Sequence, residues 1–266
     1  MRSVAINVGA NTNEPGFRGP IGADGRFEYV PIPESQPTHE GADVPTYGDL
    51  GLSVDVTPVA ETPVHLDPTF EGVHGCDRYT YGDPHGVKAR PLLELEAGDY
   101  VFFYATLSTA GEAPAGWIAP EWGAYVVGHF RLSRDPVSAA EYRDLSAPDR
   151  AVFETNAHVK RATFDAEVLL HGDALGSTLY DVAVPLSSRE AGVDANRLVT
   201  ELSSDSGEGP WWRRPMRFDR AGTETLLSVH DTGDRSPAFG QSRRPRQSES
   251  SAPAPEPFRS ICRRRT

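Results

Sequence analysis

Two Asp-Pro steps, each next to a histidine, stand close together in this chain: His65-Leu66-Asp67-Pro68-Thr69-Phe70 and Thr80-Tyr81-Gly82-Asp83-Pro84-His85. A carboxylate beside an imidazole can fix its tautomer and make the pair a general acid and base. On an extended backbone, residues two apart share a side, so His65 and Asp67 point the same way. Asx turns at the two Asp-Pro steps would use the same residues without any chemistry. His65, Asp67 and Asp83 are therefore the candidates for proton transfer. Together with His74, Cys76 or His85 they could also surround a metal, but the spacing matches no zinc pattern, and no metal is expected.

Three further segments carry groups that suit a nucleotide. The first runs from Asn7 through Gly9, Asn11 and Asn13 to Arg18. Its glycines permit close backbone approach, and its amides and guanidinium can donate to a phosphate or a base edge. A plain strand-to-hairpin turn uses the same residue types. The spacing is neither that of a phosphate-binding P-loop nor that of a dinucleotide fingerprint, so neither ATP nor NAD is implied. The second is Asn156-Ala157-His158-Val159-Lys160-Arg161, an amide and a histidine followed by two cations. Such charges are most often simply solvated. The third, Trp211-Trp212-Arg213-Arg214, could stack a base or anchor the C-terminal segment. A pocket built from these pieces would place Arg18 or Lys160 on a phosphate. Tyr81 or Phe103 would lie against the base, and Asn7, Gly9, Asn156 and His158 would line the remainder.

The elements that must position these groups are β-rich. Tyr100 to Leu107 is a continuous aromatic and β-branched run, which predicts a central strand buried on both faces. Gly123 to Leu132 predicts its hairpin partner across a Gly/Ala/Pro-rich connection. Ser3 to Val8 is strand-like, and Asp24-Gly25 is a hairpin turn ahead of Phe27 and Tyr29, which share a face. Shorter apolar stretches cover Glu167–Leu170 and Tyr180–Pro185. Residues 136–155 predict one or two short helices, with Pro136 at a helix start, and Arg220–Val229 predicts a last one. Residues 34–62 are polar with few periodic cues and predict a loop with one short helix or strand. From residue 235 onward the chain is Ser-, Pro-, Gln- and Arg-rich, too poor in apolar groups to offset ordering entropy, and predicts disorder. One domain over 1–234 and a tail over 235–266 follow.

Composition narrows the setting. The chain has 266 residues, 26 basic and 38 acidic, for a net charge of -12. The tail holds 8 Arg and 2 Glu, leaving -18 on residues 1–234. Only Lys88 and Lys160 are lysines. Few Lys and many Asp and Glu point to a salt-adapted, halophilic source, although an ordinary acidic surface would share the charge. In molar salt the Debye length is about 3 Å, so the acidic body would not repel a nucleic-acid ligand at long range. The two cysteines, Cys76 and Cys262, make no disulfide framework. With no signal-like start and no membrane-spanning apolar run, a cytoplasmic protein without a membrane partner is expected.

As an ordered set, these stretches resemble the nucleotide modification associated domain family of the third type. The resemblance rests on Val8-Gly9, Gly19-Pro20-Ile21, Asp24-Gly25 with Phe27-Glu28-Tyr29, Pro31-Ile32-Pro33, His65-Leu66-Asp67-Pro68 with Phe70, Thr80-Tyr81-Gly82-Asp83-Pro84, and Gly98-Asp99 with Phe102-Phe103-Tyr104. It covers roughly residues 1–230, and the segment 34–62 and the basic tail have no counterpart in it. The resemblance implies association with systems that make or handle modified DNA bases, with other DNA-modification proteins as companions. It brings no catalytic mechanism and no cofactor. The Gly-Asp turn, aromatic strand and Tyr-Val-Val-Gly-His-Phe strand are similar to PUA-like domains, including the ASCH and EVE groups. That likeness implies an α+β fold whose mixed or antiparallel sheet closes into a PUA-like barrel. The expected function is handling of a nucleotide or modified base in a pocket. The alternative is a non-catalytic reader or accessory subunit that binds a modified base or a protein partner.

Overall fold

A computed structural model describes residues 1–239. Its strands are β1 (Ser3–Asn7), β2 (Pro20–Ile21), β3 (Ile32–Pro33), β4 (Val64–His65), β5 (Thr80–Asp83), β6 (Tyr100–Thr109), β7 (Trp122–Arg131), β8 (Val137–Ser138), β9 (Val168–His171), β10 (Thr178–Pro185) and β11 (Met216–Phe218). The helices are α1 (Gly86–Leu93), α2 (Ala139–Asp144), α3 (Ala147–Ala151), α4 (Ala157–Lys160), α5 (Arg197–Thr200), α6 (Arg220–Thr232) and α7 (Ser236–Phe239).

The main sheet has the order β10-β7-β6-β1-β11, with β2 added on β6. β6 and β7 form the long antiparallel hairpin, β1 runs parallel to β6, and β11 runs antiparallel to β1. The continuous apolar runs of β6 and β7 have a simple cause, because both faces of this sheet are covered. Val101, Phe103, Ala105 and Leu107 enter one core with Val4 and Ile6 of β1. Phe102 and Tyr104 enter the other, with Ala5, Trp211, Met216 and Leu226. A bulge shifts the register between Phe103 and Tyr104 opposite Gly128 and Val126. Gly128 is obligatory there, since an added Cβ would stand 2.7 Å from the Thr178 carbonyl and 2.8 Å from the Phe70 ring.

The fold is α+β and β-rich, but the expected barrel is not present among the described residues. Closure requires the edge strands to pair. Here β10 and β11 lie at opposite ends of the order, and α6 packs on both from the sheet face. Strand order in space was not readable from strand order in sequence.

The first core also receives a smaller sheet, β5-β9-β8, and helix α1. A third cluster, Ala10, Val30, Tyr47, Val64 and Leu66, ties down the segment expected to be loop with one short helix or strand. That segment holds two one-turn 3₁₀ helices, Tyr47–Asp49 and Thr57–Val59, and the fully buried Tyr47 donates its hydroxyl to the Pro31 carbonyl at 2.8 Å. The start expected at Pro136 falls instead at Ser138, which caps α2 by accepting from the Glu141 N–H. Arg235 donates to the carbonyls of Val229 and Ala183, and α7 follows it, so residues 235–239 are packed. The remainder of the tail expected to be disordered lies outside the described residues. No described helix is long and apolar enough to cross a membrane.

On the second face, His129 of β7 is buried among Tyr100 and Phe102 of β6, Tyr180 of β10 and His230 of α6. Its Nδ1 meets the Tyr180 hydroxyl at 2.9 Å. Burial, reinforced by the nearby His230, lowers the His129 pKa to about 4.

Candidate functional site

Sheet register brings the Asp-Pro segments together. β3 and β4 pair with Ile32 opposite His65, and β5 and β9 pair with Gly82 opposite Leu169. Between them, Thr69 bridges Thr80 and donates or accepts at its hydroxyl, 2.9 Å away. The chain thus folds His65-Asp67 onto Tyr81-Asp83 at the end of β1, where Asn7 leads into Gly9. Gly9 has a φ of +79°, and the space its Cβ would take is closed by the Val30 carbonyl and the Tyr29 ring. A cavity of about 480 Å³ results.

Asp67 is held from one side by two donors. Its Oδ1 accepts from the Gly82 N–H at 2.9 Å and from Asn156 Nδ2 at 2.7 Å. Asn156 is fully buried and works at both ends of its amide: Nδ2 donates to Asp67 and Thr80, and Oδ1 accepts from the His158 N–H, capping α4. Asp67 Oδ2 is left facing two imidazoles, His158 Nε2 at 3.6 Å and His65 Nε2 at 4.0 Å. The far nitrogen of each ring has its own carboxylate. His65 Nδ1 is 2.6 Å from Glu34 Oε2, and His158 Nδ1 is 2.8 Å from Asp165 Oδ1. Arg161 spans the two carboxylates, donating from Nε and Nη2 to Glu34 and from Nη1 to Asp165.

Electrostatics follow from this wiring. Burial works against the Glu34 charge, but the His65 and Arg161 hydrogen bonds outweigh it and hold the carboxyl at about 2. Burial also works against a charge on His158, but Asp67 and Asp165 outweigh it and raise its pKa. Tyr81 is raised well above a normal phenol by burial, then by Asp83 and Asp67, so it remains a donor. Its hydroxyl gives a 2.6 Å hydrogen bond to Asp83 Oδ2, while Asp83 Oδ1 accepts from the His85 N–H. Lys88 of α1 reaches to 3.5 Å from Asp83.

The cavity therefore joins most of the residues singled out from sequence: Asn7, Gly9, His65, Asp67, Tyr81, Asp83 and His158. Asn156 lies behind them as the clamp on Asp67. Arg18 and Lys160 are not brought in. Arg18 stacks on Trp122 and lines an adjoining cleft of about 230 Å³ with Trp212 and Arg213, which shares Asn7 and Asn11 with the cavity, and Lys160 donates to the Asp43 carbonyl. Neither Tyr81 nor Phe103 offers a free face for a base, because both are buried and packed edge-on to each other. Of the metal partners considered for His65 and Asp67, His74 meets the Tyr29 carbonyl and Cys76 packs in the third cluster. The histidine that does join them is His158, and one ligand atom from each of the three lies within 4.8 Å of the others.

Glu34, Arg161, Asp165 and Lys88 complete the site without having been assigned to it. Lys88 carried a signal, being one of two lysines. Glu34 carried none.

Gly82 is the hinge of this packing. A Cβ there would stand 2.8 Å from His158 Cδ2, 3.1 Å from Asn156 Oδ1 and 3.1 Å from Leu169 Cδ2. Gly82→Ala is expected to cost about 1–3 kcal/mol by overpacking and to push the His158 ring off Asp67. Thermal unfolding reads the first effect. A crystal structure of the variant with His158 unmoved would contradict the second.

An α+β protein with an open cavity lined by buried carboxylates and histidines is the class these observations define. Residues 2–228 match the family described as nucleotide modification associated domain 3, and the chain belongs to that family. No curated protein matches the chain, and no solved structure does.

Proposed function

We propose that the cavity binds a nucleotide or a modified DNA base and that the protein acts on it as an enzyme. One observation carries the reading: four separate segments of the chain deliver Asn7, His65 with Asp67, Asp83 and His158 to one cavity in a chain whose family is associated with nucleotide modification. The volume lies within the few hundred to about 1,000 Å³ usual for small-molecule sites. Catalysis is favoured over mere reading because a reader needs stacking and edge contacts. This cavity offers no free aromatic face and a concentration of titratable groups instead.

The roles expected from sequence shift accordingly. Lys88, not Arg18 or Lys160, is the cation for a phosphate: it lines the cavity and meets Asp83 only at 3.5 Å, whereas Arg161 is hydrogen-bonded to both Glu34 and Asp165. Asn7, Asn11 and Gln36 supply edge contacts to a base. Asp67, His65 or Asp83 moves a proton.

The test is thermal unfolding at high salt with nucleotides, modified nucleosides and short single-stranded DNA. A ligand at 100 times its Kd stabilises by about 2.7 kcal/mol. Stabilisation by one of these, lost in Asp83→Asn and Lys88→Ala, supports the reading. Stabilisation that persists in both variants, or none with any probe, rejects it.

A further inference from the structure

We infer that His65, Asp67 and His158 form a binding site for one divalent transition-metal ion, with the remaining coordination positions open to the cavity. The inference takes from the preceding reading only what the ion acts on, an oxygen of the bound nucleotide or a water.

Four features of the cluster support it. The first is ligand identity: two imidazoles and one carboxylate on one side of a site, with the other side open, is a donor set that first-row divalent metals occupy. The second is direction. Asp67 Oδ1 has both its donors, Gly82 and Asn156, so Oδ2 alone faces the imidazoles. Each ring has a carboxylate at Nδ1, which turns its Nε2 towards Asp67 Oδ2. Histidine ligands are oriented by carboxylates in this way in metal sites generally, and the carboxylate raises the ring's basicity. The third is distance. Neighbouring ligands on a tetrahedral ion with bonds of about 2.0–2.2 Å are about 3.4 Å apart. The carboxylate oxygen is 3.6 and 4.0 Å from the two imidazole nitrogens and all three ligand atoms lie within 4.8 Å, so closure on an ion needs side-chain rotations of about an ångström.

The fourth feature is charge. The carboxylates lining the cavity are Glu14, Asp67, Asp83 and Asp165, against the cations Lys88 and Arg161. With neutral imidazoles the lining carries two excess negative charges. A phosphate-bearing ligand would meet repulsion there, and a divalent ion removes it and adds a coordination bond. The two histidines and Asp67 are all buried, so the cluster is not an ordinary solvated acidic surface.

The experiment uses the full chain, stripped with a chelator and titrated with Co²⁺ without nucleotide, read by the visible d–d bands and by isothermal calorimetry. One equivalent should bind, and competing Zn²⁺ should bleach the bands. Asp67→Asn and His158→Gln should each weaken binding at least 100-fold. Glu34→Gln, which leaves all three ligands in place but changes the partner that His65 shares with Arg161, should weaken it about 10- to 100-fold. His39→Gln, an exposed histidine outside the cavity, should change nothing. Circular dichroism confirms that each variant is folded, and His65→Gln replaces any that is not. No binding near one equivalent, or binding that survives both Asp67→Asn and His158→Gln, overturns the inference. Nucleotide binding to the stripped protein is scored separately: if it persists where Co²⁺ fails, the metal falls and the pocket stands. If Co²⁺ binds and no nucleotide does, the reverse holds.

Discussion

Glu34→Ala will lower the unfolding free energy by about 3–5 kcal/mol, the usual cost of removing one partner from a buried charge pair. Glu34 is almost entirely enclosed, with 2% of its side chain exposed, and the Arg161 side chain has 9% exposed. Removing the carboxylate strips two acceptors from the guanidinium and leaves it only Asp165. The same change leaves His65 Nδ1 without its 2.6 Å partner, so the ring loses the contact that sets its tautomer. In a domain of this size, a loss of that order lowers Tm by roughly 10 °C. Chemical denaturation of Glu34→Ala, Arg161→Met and the double variant gives the decisive comparison. The double variant is expected to be less destabilised than the sum of the singles by about 1–3 kcal/mol, because no charge is then stranded. Strict additivity would show that the two side chains do not depend on each other.

Acid will weaken the fold through His129, by about 3 kcal/mol between pH 6.5 and pH 4. The sign follows from which state takes up the proton. The folded pKa is depressed to about 4, and the unfolded imidazole titrates near 6.5. Above pH 6.5 both states are neutral and the residue contributes no pH dependence. Between the two values the unfolded chain binds a proton that the folded chain refuses, so stability falls as pH falls. Below about 4 both are protonated and the loss levels off. Tyr180 accepts or donates at Nδ1, and Asp231 and Arg235 stand nearby on Tyr180 and His230. His129→Gln keeps a hydrogen-bonding group but cannot titrate. Unfolding free energies of both proteins, measured across this range, should converge towards pH 4 by that amount relative to their gap at pH 7. Parallel profiles would mean that His129 takes up its proton in the folded protein as readily as in the unfolded chain.

The buried strands were legible because a sheet covered on both faces leaves no polar alternation to obscure them, and Tyr100–Leu107 shows this directly. His65, Asp67, Tyr81 and Asp83 were legible because reactive types lay close in sequence on short extended segments. His158 and Asn156 could be noticed by type, but their partner is Asp67, 89 residues from Asn156, and no local pattern states that. Glu34 was invisible for a stronger reason. Its importance arises only when Ile32 pairs with His65, and in sequence it is one acid among many in a polar stretch. Arg18 and Lys160 were misplaced because a charge does not reveal which way its side chain points. The barrel failed similarly, since consecutive strands do not say whether the first and last edges meet.

The position of β1 between β6 and β11 bears on how the chain comes off the ribosome. Its parallel neighbour begins at Tyr100 and its antiparallel neighbour ends at Phe218, so β1 is made before both of its neighbours. At translation rates of about 5–20 residues per second, the interval from Asn7 to Phe218 is roughly 10–40 s. Throughout that time Val4, Ala5 and Ile6 have no finished sheet to enter, and after β6 appears one edge of β1 is still open. Nascent chains are therefore expected to carry β1 with one edge unpaired until β11 has emerged. Truncation before Met216 should yield aggregates, not a smaller soluble domain.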